Sequence, residues 1–494
     1  AGTAVITQDH AGLWTDSRYF IQAEQELADS EVVLHRLQVP HTAEHLDWLL
    51  EHLPAESNIA MDGQQASMQQ LRGLQRTLRG GDFLYNFYNQ VISASWLDRP
   101  ALPQRPVFEL PVEFAGKSRA QKFAALRSTL MGNGDDAILI SALDEIAWLF
   151  NLRGSDVPCN PVFYAYAYLD QGKAVLFVHK NKLDQELIDD LKRENILLKE
   201  YDDIYTFVQN ELDDNQILVD PRSTNYNLYT LLPPNQVRDD DSPIQLSKTI
   251  KNATEIAQIR KAMLKDGVAL TQLYRWIEAS LDAGMSITEA EVAEQLDAFR
   301  RQQLNYHGES FSAIVGYQGN GAIVHYHPDP ERSATLKPEG ILLIDSGGQY
   351  LEGTTDITRT TALGSPTSKQ KEHYTLVLKG HIQLDQAVFP AGTTGVQLDI
   401  LARKALWQSQ LNYGHGTGHG VGHFLNVHEG PQAFTPAVHS EKGTTAFLEG
   451  MLTSNEPGLY LEGQYGIRIE NLILCIAAGK SPFGNFLKFE ALTL

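Results

Sequence analysis

Gly340 to Ala362 reads GILLIDSGGQYLEGTTDITRTTA. Apolar and β-branched residues alternate on either side of Asp345 and again around Asp356. This is the pattern of a β-hairpin, with Gly347-Gly348 and Gly353 placed to turn the chain. A carboxylate set into an apolar strand is costly unless positive charge sits beside it. Two such strands argue for a metal, and a metal needs more than two ligands.

Four further segments hold polar residues that are hard to explain as scaffold. GAIVHYHP carries His325 and His327, and GHGTGHGVGHFLNVHEGP carries His415, His419, His423 and His428. MLTSNEPGLY places Glu456 before a Pro-Gly turn. In the strand-like IRIEN, Arg468 and Glu470 are two apart and point to the same face. His415 and His419 have the i, i+4 spacing of a helical zinc pair, but the density of glycine predicts an extended segment that brings backbone close to a ligand.

Other chemistries fail on inspection. No register of the glycines gives G-x-G-x-x-G, and AAGKS at Ala477 to Ser481 has Leu474 where a phosphate loop requires its first glycine. Neither G-x-S-x-G nor H-E-x-x-H occurs. Asn252-Ala253-Thr254 matches a glycosylation sequon, a pattern too short to carry weight. Each carboxylate alone has an ordinary explanation as a strand end, a turn cap or an ion-pair partner. Together they form an ordered set, Asp, Asp, His, Glu, Glu, each in a strand or glycine-rich frame.

Bulk properties narrow the class. A net charge of −21 repels a phosphate backbone, so neither nucleic acid nor an anionic membrane is an expected partner. No apolar run approaches the ~18 residues of a membrane span. With only Cys159 and Cys475 there is no disulfide framework, and a cytoplasmic location is expected. No targeting segment is recognisable in a sequence that begins Ala1-Gly2-Thr3.

Length and punctuation predict about three domains. Residues 1–105 open with two strands in AVITQDHAGLWTD and a helical SRYFIQAEQELAD. Pro100, Pro103, Pro106 and Pro111 mark the first boundary. Residues 106–246 repeat the theme: helical SRAQKFAALRSTLMG, the strand AILIS, then a hairpin in FYAYAYLDQGKAVLFV. Read as repeats, the first region lacks a strand–helix unit at its start, so the sequence is expected to be a fragment. Residues 247–494 begin with helices capped at Asn252/Glu255 and Thr288/Glu291, with a core stripe of Ile256, Ile259, Met263, Leu270, Leu273 and Ile277.

The order and surroundings of these motifs resemble the metallopeptidases of the pita-bread fold, and among them the three-domain Xaa-Pro aminopeptidases. WTDSRYF resembles the first domain and DEIAWLFNLRGSDVPCNPVF the second. FRRQQ, LIDSGGQYLEGTTDITRT, HGTGHGVGHFLNVHEGP, NEPG and GIRIEN resemble the catalytic one. The resemblance implies an α/β (α+β) architecture: two creatinase-N-like domains, the first truncated at its start, followed by a pita-bread catalytic domain.

It also implies roles. Asp345, Asp356, His419, Glu456 and Glu470 would hold two divalent cations, with Asp356 and Glu470 bridging them. Four carboxylates and one imidazole form a hard, oxygen-rich set, so manganese is the expected metal, with zinc and cobalt as alternatives. A metal-bridged hydroxide would attack the bond before a penultimate proline. Glu456 would carry the proton to the leaving nitrogen, and His325 and His428 would hydrogen-bond the substrate. His415 would sit near the proline end, and Arg468 would orient Asp345. His423 has no role carried over, and His327 is expected to be structural. The expected partners are short peptides with proline in second position, and a second copy of the chain in a homodimer. Two rival readings share the fold: a prolidase restricted to Xaa-Pro dipeptides, and a non-catalytic pita-bread binding protein.

Overall fold

A computed structural model describes residues 2–38, 42–88, 95–438 and 440–494. Contacts divide the chain into two compact units. Thr42–Lys248 forms one; Ala1–His41 with Thr249–Leu494 forms the other.

The Thr42–Lys248 unit is built on a six-stranded mixed sheet. Its strands run in the order Ile196–Lys199, Ala174–Phe177, Tyr166–Asp170, Ala137–Ile140, Ile217–Val219 and Val237–Asp239. The central strands are buried on both faces, as a sheet covered by helices requires. The hairpin expected in FYAYAYLDQGKAVLFV is present. Its turn is closed by Asp170 Oδ1, which accepts from the backbone N–H groups of Gly172 at 2.8 Å and Lys173 at 2.6 Å. Helix Arg119–Asn133 starts at a capping box between Ser118 and Gln121.

One buried acid in this unit makes stability depend on pH. Glu145 is buried, and its Oε2 accepts from Ser242 Oγ at 2.6 Å. Burial, reinforced by Asp144, pushes its pKa from 4.5 up to about 8. The fold therefore favours the protonated acid. Its stabilising contribution is complete below pH 4.5 and is lost as pH rises toward about 8. Glu145→Gln keeps an acceptor for Ser242 without the charge. We expect its melting temperature to match wild type near pH 5 and to exceed it by several degrees at pH 8.5, from a difference on the order of a few kcal/mol. Thermal melts at the two pH values check this.

In the other unit, strands Gly2–Ile6 and Ala11–Thr15 pair antiparallel, and Val33–Arg36 adds parallel to the second after helix Phe20–Leu27. Helix Ala253–Asp282 starts at the predicted Asn252/Glu255 capping box and buries Ile259, Met263, Leu270, Leu273 and Ile277. Thr288 and Glu291 cap helix Glu289–Arg300 in the same way. Leu273 and Ile277 pack with Val315, Leu342 and Ile344, which fixes the long helix to an antiparallel sheet of Tyr306–Tyr317, Ile341–Tyr350, Gly353–Thr354 and Ile357–Ala362. A second sheet contains Val388–Pro390, Gly484–Ala491, Asn471–Ser481 and Leu452–Asn455.

The hairpin of Gly340 to Ala362 differs from expectation in two respects. Gly347-Gly348 does not turn the chain, because the strand Ile341–Tyr350 continues through it and reverses at Leu351-Glu352. A Cβ at Gly347 would lie 2.0 Å from the Thr355 carbonyl oxygen and 2.1 Å from Ser310 Oγ, so this glycine permits close packing. Asp356 is not inside a strand either. It sits in the gap between Gly353–Thr354 and Ile357–Ala362. Likewise Glu470 falls between Tyr465–Arg468 and Asn471–Ser481, and Glu456 between Leu452–Asn455 and Gly458–Leu461. Backbone leaving the ladder at these gaps frees each side chain from strict alternation, and all three turn toward one place.

Candidate metal centre

Asp345 is the one expected ligand embedded in a long strand. It pairs with Ile314 and Thr358, beside an irregularity in the register between Phe311 and Ile314. Asp356, His419 and Glu470 each offer a ligand atom within 4.8 Å of the others. Glu456 joins them through His419, whose Nε2 lies 3.3 Å from Glu456 Oε1 and 3.5 Å from Asp356 Oδ2. His419 comes from the short strand Gly418–His419, paired with Ala433–Phe434. The predicted extended conformation holds there, but the glycine beside it serves the protein: a Cβ at Gly418 would lie 1.8 Å from the Ser454 carbonyl oxygen.

Hydrogen bonds leave one oxygen of two buried carboxylates free. Arg468 donates from Nε at 3.1 Å and from Nη2 at 2.6 Å, both to Asp345 Oδ2, while Asp345 Oδ1 has no partner. Thr358 Oγ1 donates to Glu470 Oε2 at 2.7 Å, while Glu470 Oε1 has none. The Nδ1–H of His419 points to the Gly420 carbonyl at 3.0 Å, so in the neutral ring Nε2 keeps its lone pair toward the carboxylates. Buried acceptors without donors cost free energy unless a cation meets them.

Electrostatics agree with the geometry. Burial raises the pKa of Asp356 and Glu470 well above the usual range, and repulsion from the neighbouring carboxylates adds to it. Asp345 is also raised, by burial and then by Glu456, against the pull of Arg468. Arg468 itself is raised, its burial outweighed by the negative groups around it. Both partners shift upward, where an ordinary ion pair would lower the acid, because one guanidinium cannot neutralise four carboxylates. Glu456 is the exception: burial works upward, but His419, His415 and Arg468 hold it down at about 2. This donor set fits a pair of divalent cations.

The remaining predicted residues surround this nest at different depths. His415 bonds through Nε2 to the Tyr460 hydroxyl at 2.9 Å and through Nδ1 to the Gly416 carbonyl at 2.7 Å. Burial lowers its pKa to about 4. Tyr460 in turn receives Arg468 Nη1 at 2.7 Å, so His415, Tyr460, Arg468 and Asp345 form one chain. His428 is exposed, with its ring centroid 4.1 Å from that of His419; the repulsion that two adjacent imidazolium ions would feel holds the His428 pKa down. His325 is half-buried, with Nδ1 2.7 Å from the Tyr19 hydroxyl. Burial and the charges of Arg468 and Arg18 push it down to about 3. His423 is buried and His327 exposed. A cavity of about 840 Å³, lined among others by Tyr274, Arg359, Lys371 and Leu494, borders none of the five expected ligands.

Thr358, Tyr460 and Tyr19 escaped the sequence reading. Thr358 stands two residues after Asp356, a spacing that flags a shared face. Tyr460 and Tyr19 carry no local signal, because each matters only through a partner remote in sequence.

A carboxylate-rich nest on a mostly antiparallel sheet is the frame of a metallopeptidase, and residues 257–477 match the profile described as Metallopeptidase family M24. Residues 1–87 and 98–255 each match a Creatinase/Prolidase N-terminal domain. The chain is 40% identical over 511 residues to a probable Xaa-Pro aminopeptidase P of Laccaria bicolor, covering 100% of this chain and 78% of that one. It therefore belongs to the Xaa-Pro aminopeptidase family and is a metalloaminopeptidase, a peptide hydrolase. Among solved structures, an X-prolyl aminopeptidase from Caenorhabditis elegans is 34% identical with a TM-score of 0.94, over 100% of this chain and 81% of that one. That protein is described as a cytosolic enzyme with a di-nuclear active site. An Xaa-Pro dipeptidase from Bacillus anthracis, 23% identical with a TM-score of 0.59 over 76% of this chain and 98% of that one, shares the fold alone. No helix among the described residues is long and apolar enough to cross a membrane.

Proposed function

We propose that the enzyme removes the N-terminal residue from short peptides with proline in second position, using two divalent cations held by Asp345, Asp356, His419, Glu456 and Glu470. The observation that carries this reading is the meeting of Asp356, His419 and Glu470 within 4.8 Å, in a nest where Asp345 and Glu470 each keep a buried oxygen without a donor. Manganese is the proposed metal, because four carboxylates outnumber one imidazole and no thiolate takes part. When bound, such a pair lowers the pKa of a water and polarises a carbonyl.

The chain's own residues do the rest. Glu456 takes a proton from the attacking water on a carboxylate oxygen as the water oxygen bonds to the scissile carbonyl carbon, and returns it to the proline nitrogen as the C–N bond breaks. His325 and His428 donate hydrogen bonds to the scissile carbonyl oxygen as negative charge develops there. His415, through Tyr460, steadies Arg468, which keeps Asp345 turned with Oδ1 free. An Xaa-Pro bond is a tertiary amide without an N–H, so a site that reads this bond can place no demand on that donor. The domain limits at 105/106 and 246/247, a homodimer and a cytoplasmic location complete the proposal, the last supported by the cytosolic description of the Caenorhabditis elegans relative.

The test compares Xaa-Pro with Xaa-Pro-Pro after chelation and with manganese restored. Hydrolysis of the longer peptide, lost on chelation and regained with manganese, is the expected result. Cleavage of the dipeptide alone would identify a prolidase, and absence of metal and turnover would identify a binding protein.

A further inference from the structure

The turn Asp16–Ser17–Arg18–Tyr19 links strand Ala11–Thr15 to helix Phe20–Leu27 and reaches the metal nest from the opposite end of the sequence. The Tyr19 hydroxyl is 2.7 Å from His325 Nδ1, across 306 positions, and the two rings meet edge to face at 5.0 Å. Tyr19 occupies the N-cap position of its helix, yet its side chain makes no cap bond. Its polar end is committed to the histidine.

The turn is held on both sides. Arg18 donates from Nε at 2.8 Å and from Nη2 at 2.7 Å to the Asp16 carboxylate. Ser17 Oγ donates to the Gly414 carbonyl at 3.4 Å, next to His415. Gly414 permits that approach, since a Cβ there would sit 2.4 Å from Ser17 Oγ.

A neutral imidazole carries one donor and one acceptor nitrogen, and whichever partner engages one nitrogen fixes the role of the other. Burial keeps the Tyr19 phenol protonated, and the surroundings of His325 keep its ring neutral. A hydroxyl donating to Nδ1 leaves the ring proton on Nε2. That N–H is what a developing oxyanion needs.

We propose that Tyr19 is a positioning residue for the peptidase reaction, fixing His325 as the Nε2–H tautomer and holding its ring so that this N–H faces the scissile carbonyl. The inference rests on the function proposed above. It gives the N-terminal segment a part in the chemistry, beyond packing.

Tyr19→Phe retains the ring and removes only the hydroxyl. Expected is a fall in kcat of about 10- to 100-fold, the usual cost of losing a partner that orients an active-site histidine. KM should stay within about twofold, with melting temperature and manganese content unchanged. In a His325→Ala background the same substitution should cost nothing further. Unchanged kcat in Tyr19→Phe, or an equal loss in both backgrounds, would overturn the proposal. A second readout needs no turnover: nitrogen NMR of metal-free protein labelled in histidine, with His325 assigned from its absence in His325→Gln. Wild type should show His325 protonated at Nε2, and Tyr19→Phe a mixture of tautomers. A wild-type His325 protonated at Nδ1 would refute the inference even if Xaa-Pro cleavage is confirmed. Failure to cleave Xaa-Pro peptides would refute the function while the tautomer still tests the contact.

Discussion

Asp356→Asn is expected to lower kcat/KM on Xaa-Pro peptides by on the order of 10³ or more, while making the metal-free protein more stable than wild type. Both effects come from the same charge. In the metal-free fold, burial and then Glu470, Asp345 and Glu456 raise the pKa of Asp356 well above the usual carboxylate range. The folded state therefore favours the protonated acid. That contribution is complete below the unfolded value near ~4 and is lost as pH rises above it. An amide has no charge to lose, so the stability advantage of Asp356→Asn should grow from pH 5 to pH 8. Saturating manganese should reverse the order, because a cation that binds only the folded protein stabilises it in proportion to the logarithm of its concentration over Kd. Calorimetry with and without manganese, beside metal analysis, checks each part. A wild type that melts above the variant without metal at pH 8, and does not respond to manganese, would remove the argument that these carboxylates are built for cations.

The parts of this site legible in the sequence are those where chemistry is written into a local pattern. Asp345 stands out because its neighbours are apolar and alternate, and the structure buries that whole strand. The capping boxes at Asn252/Glu255 and Thr288/Glu291 were equally readable, since both partners lie within one helical turn. The glycines misled in one respect. Glycine marks both a turn and a close approach of two chain segments, and only the facing segment decides between them. At Gly347 that segment contributes Thr355, and the strand runs straight through. Alternation also placed Asp356 and Glu470 within strands, whereas each occupies a gap between two strands. The links Thr358–Glu470, Tyr460–Arg468 and Tyr19–His325 join positions from 8 to 306 apart, and no periodicity reports them.

The second large effect is expected from Glu456→Gln, which should lower kcat by about 10²–10⁴, the range of a lost general acid–base group. Glu456 is placed for that work: its Oε1 lies 3.3 Å from His419 Nε2 at the edge of the nest, and its pKa shifts downward where those of Asp356 and Glu470 shift upward. Glutamine keeps the shape and can still accept from Ser454 Oγ, which lies 3.0 Å from Glu456 Oε1, but it cannot relay a proton. Because Glu456 is also a proposed ligand, the loss must be divided between two causes. If proton delivery to the leaving nitrogen dominates, the penalty should shrink on substrates carrying 4,4-difluoroproline, whose less basic nitrogen departs with less help. If metal retention dominates, manganese content should fall in parallel with kcat and the penalty should be the same for both prolines. Paired kinetics on the two substrates, with metal content measured on the same samples, separate these outcomes. We expect a smaller penalty on the fluorinated substrate at near-full metal occupancy.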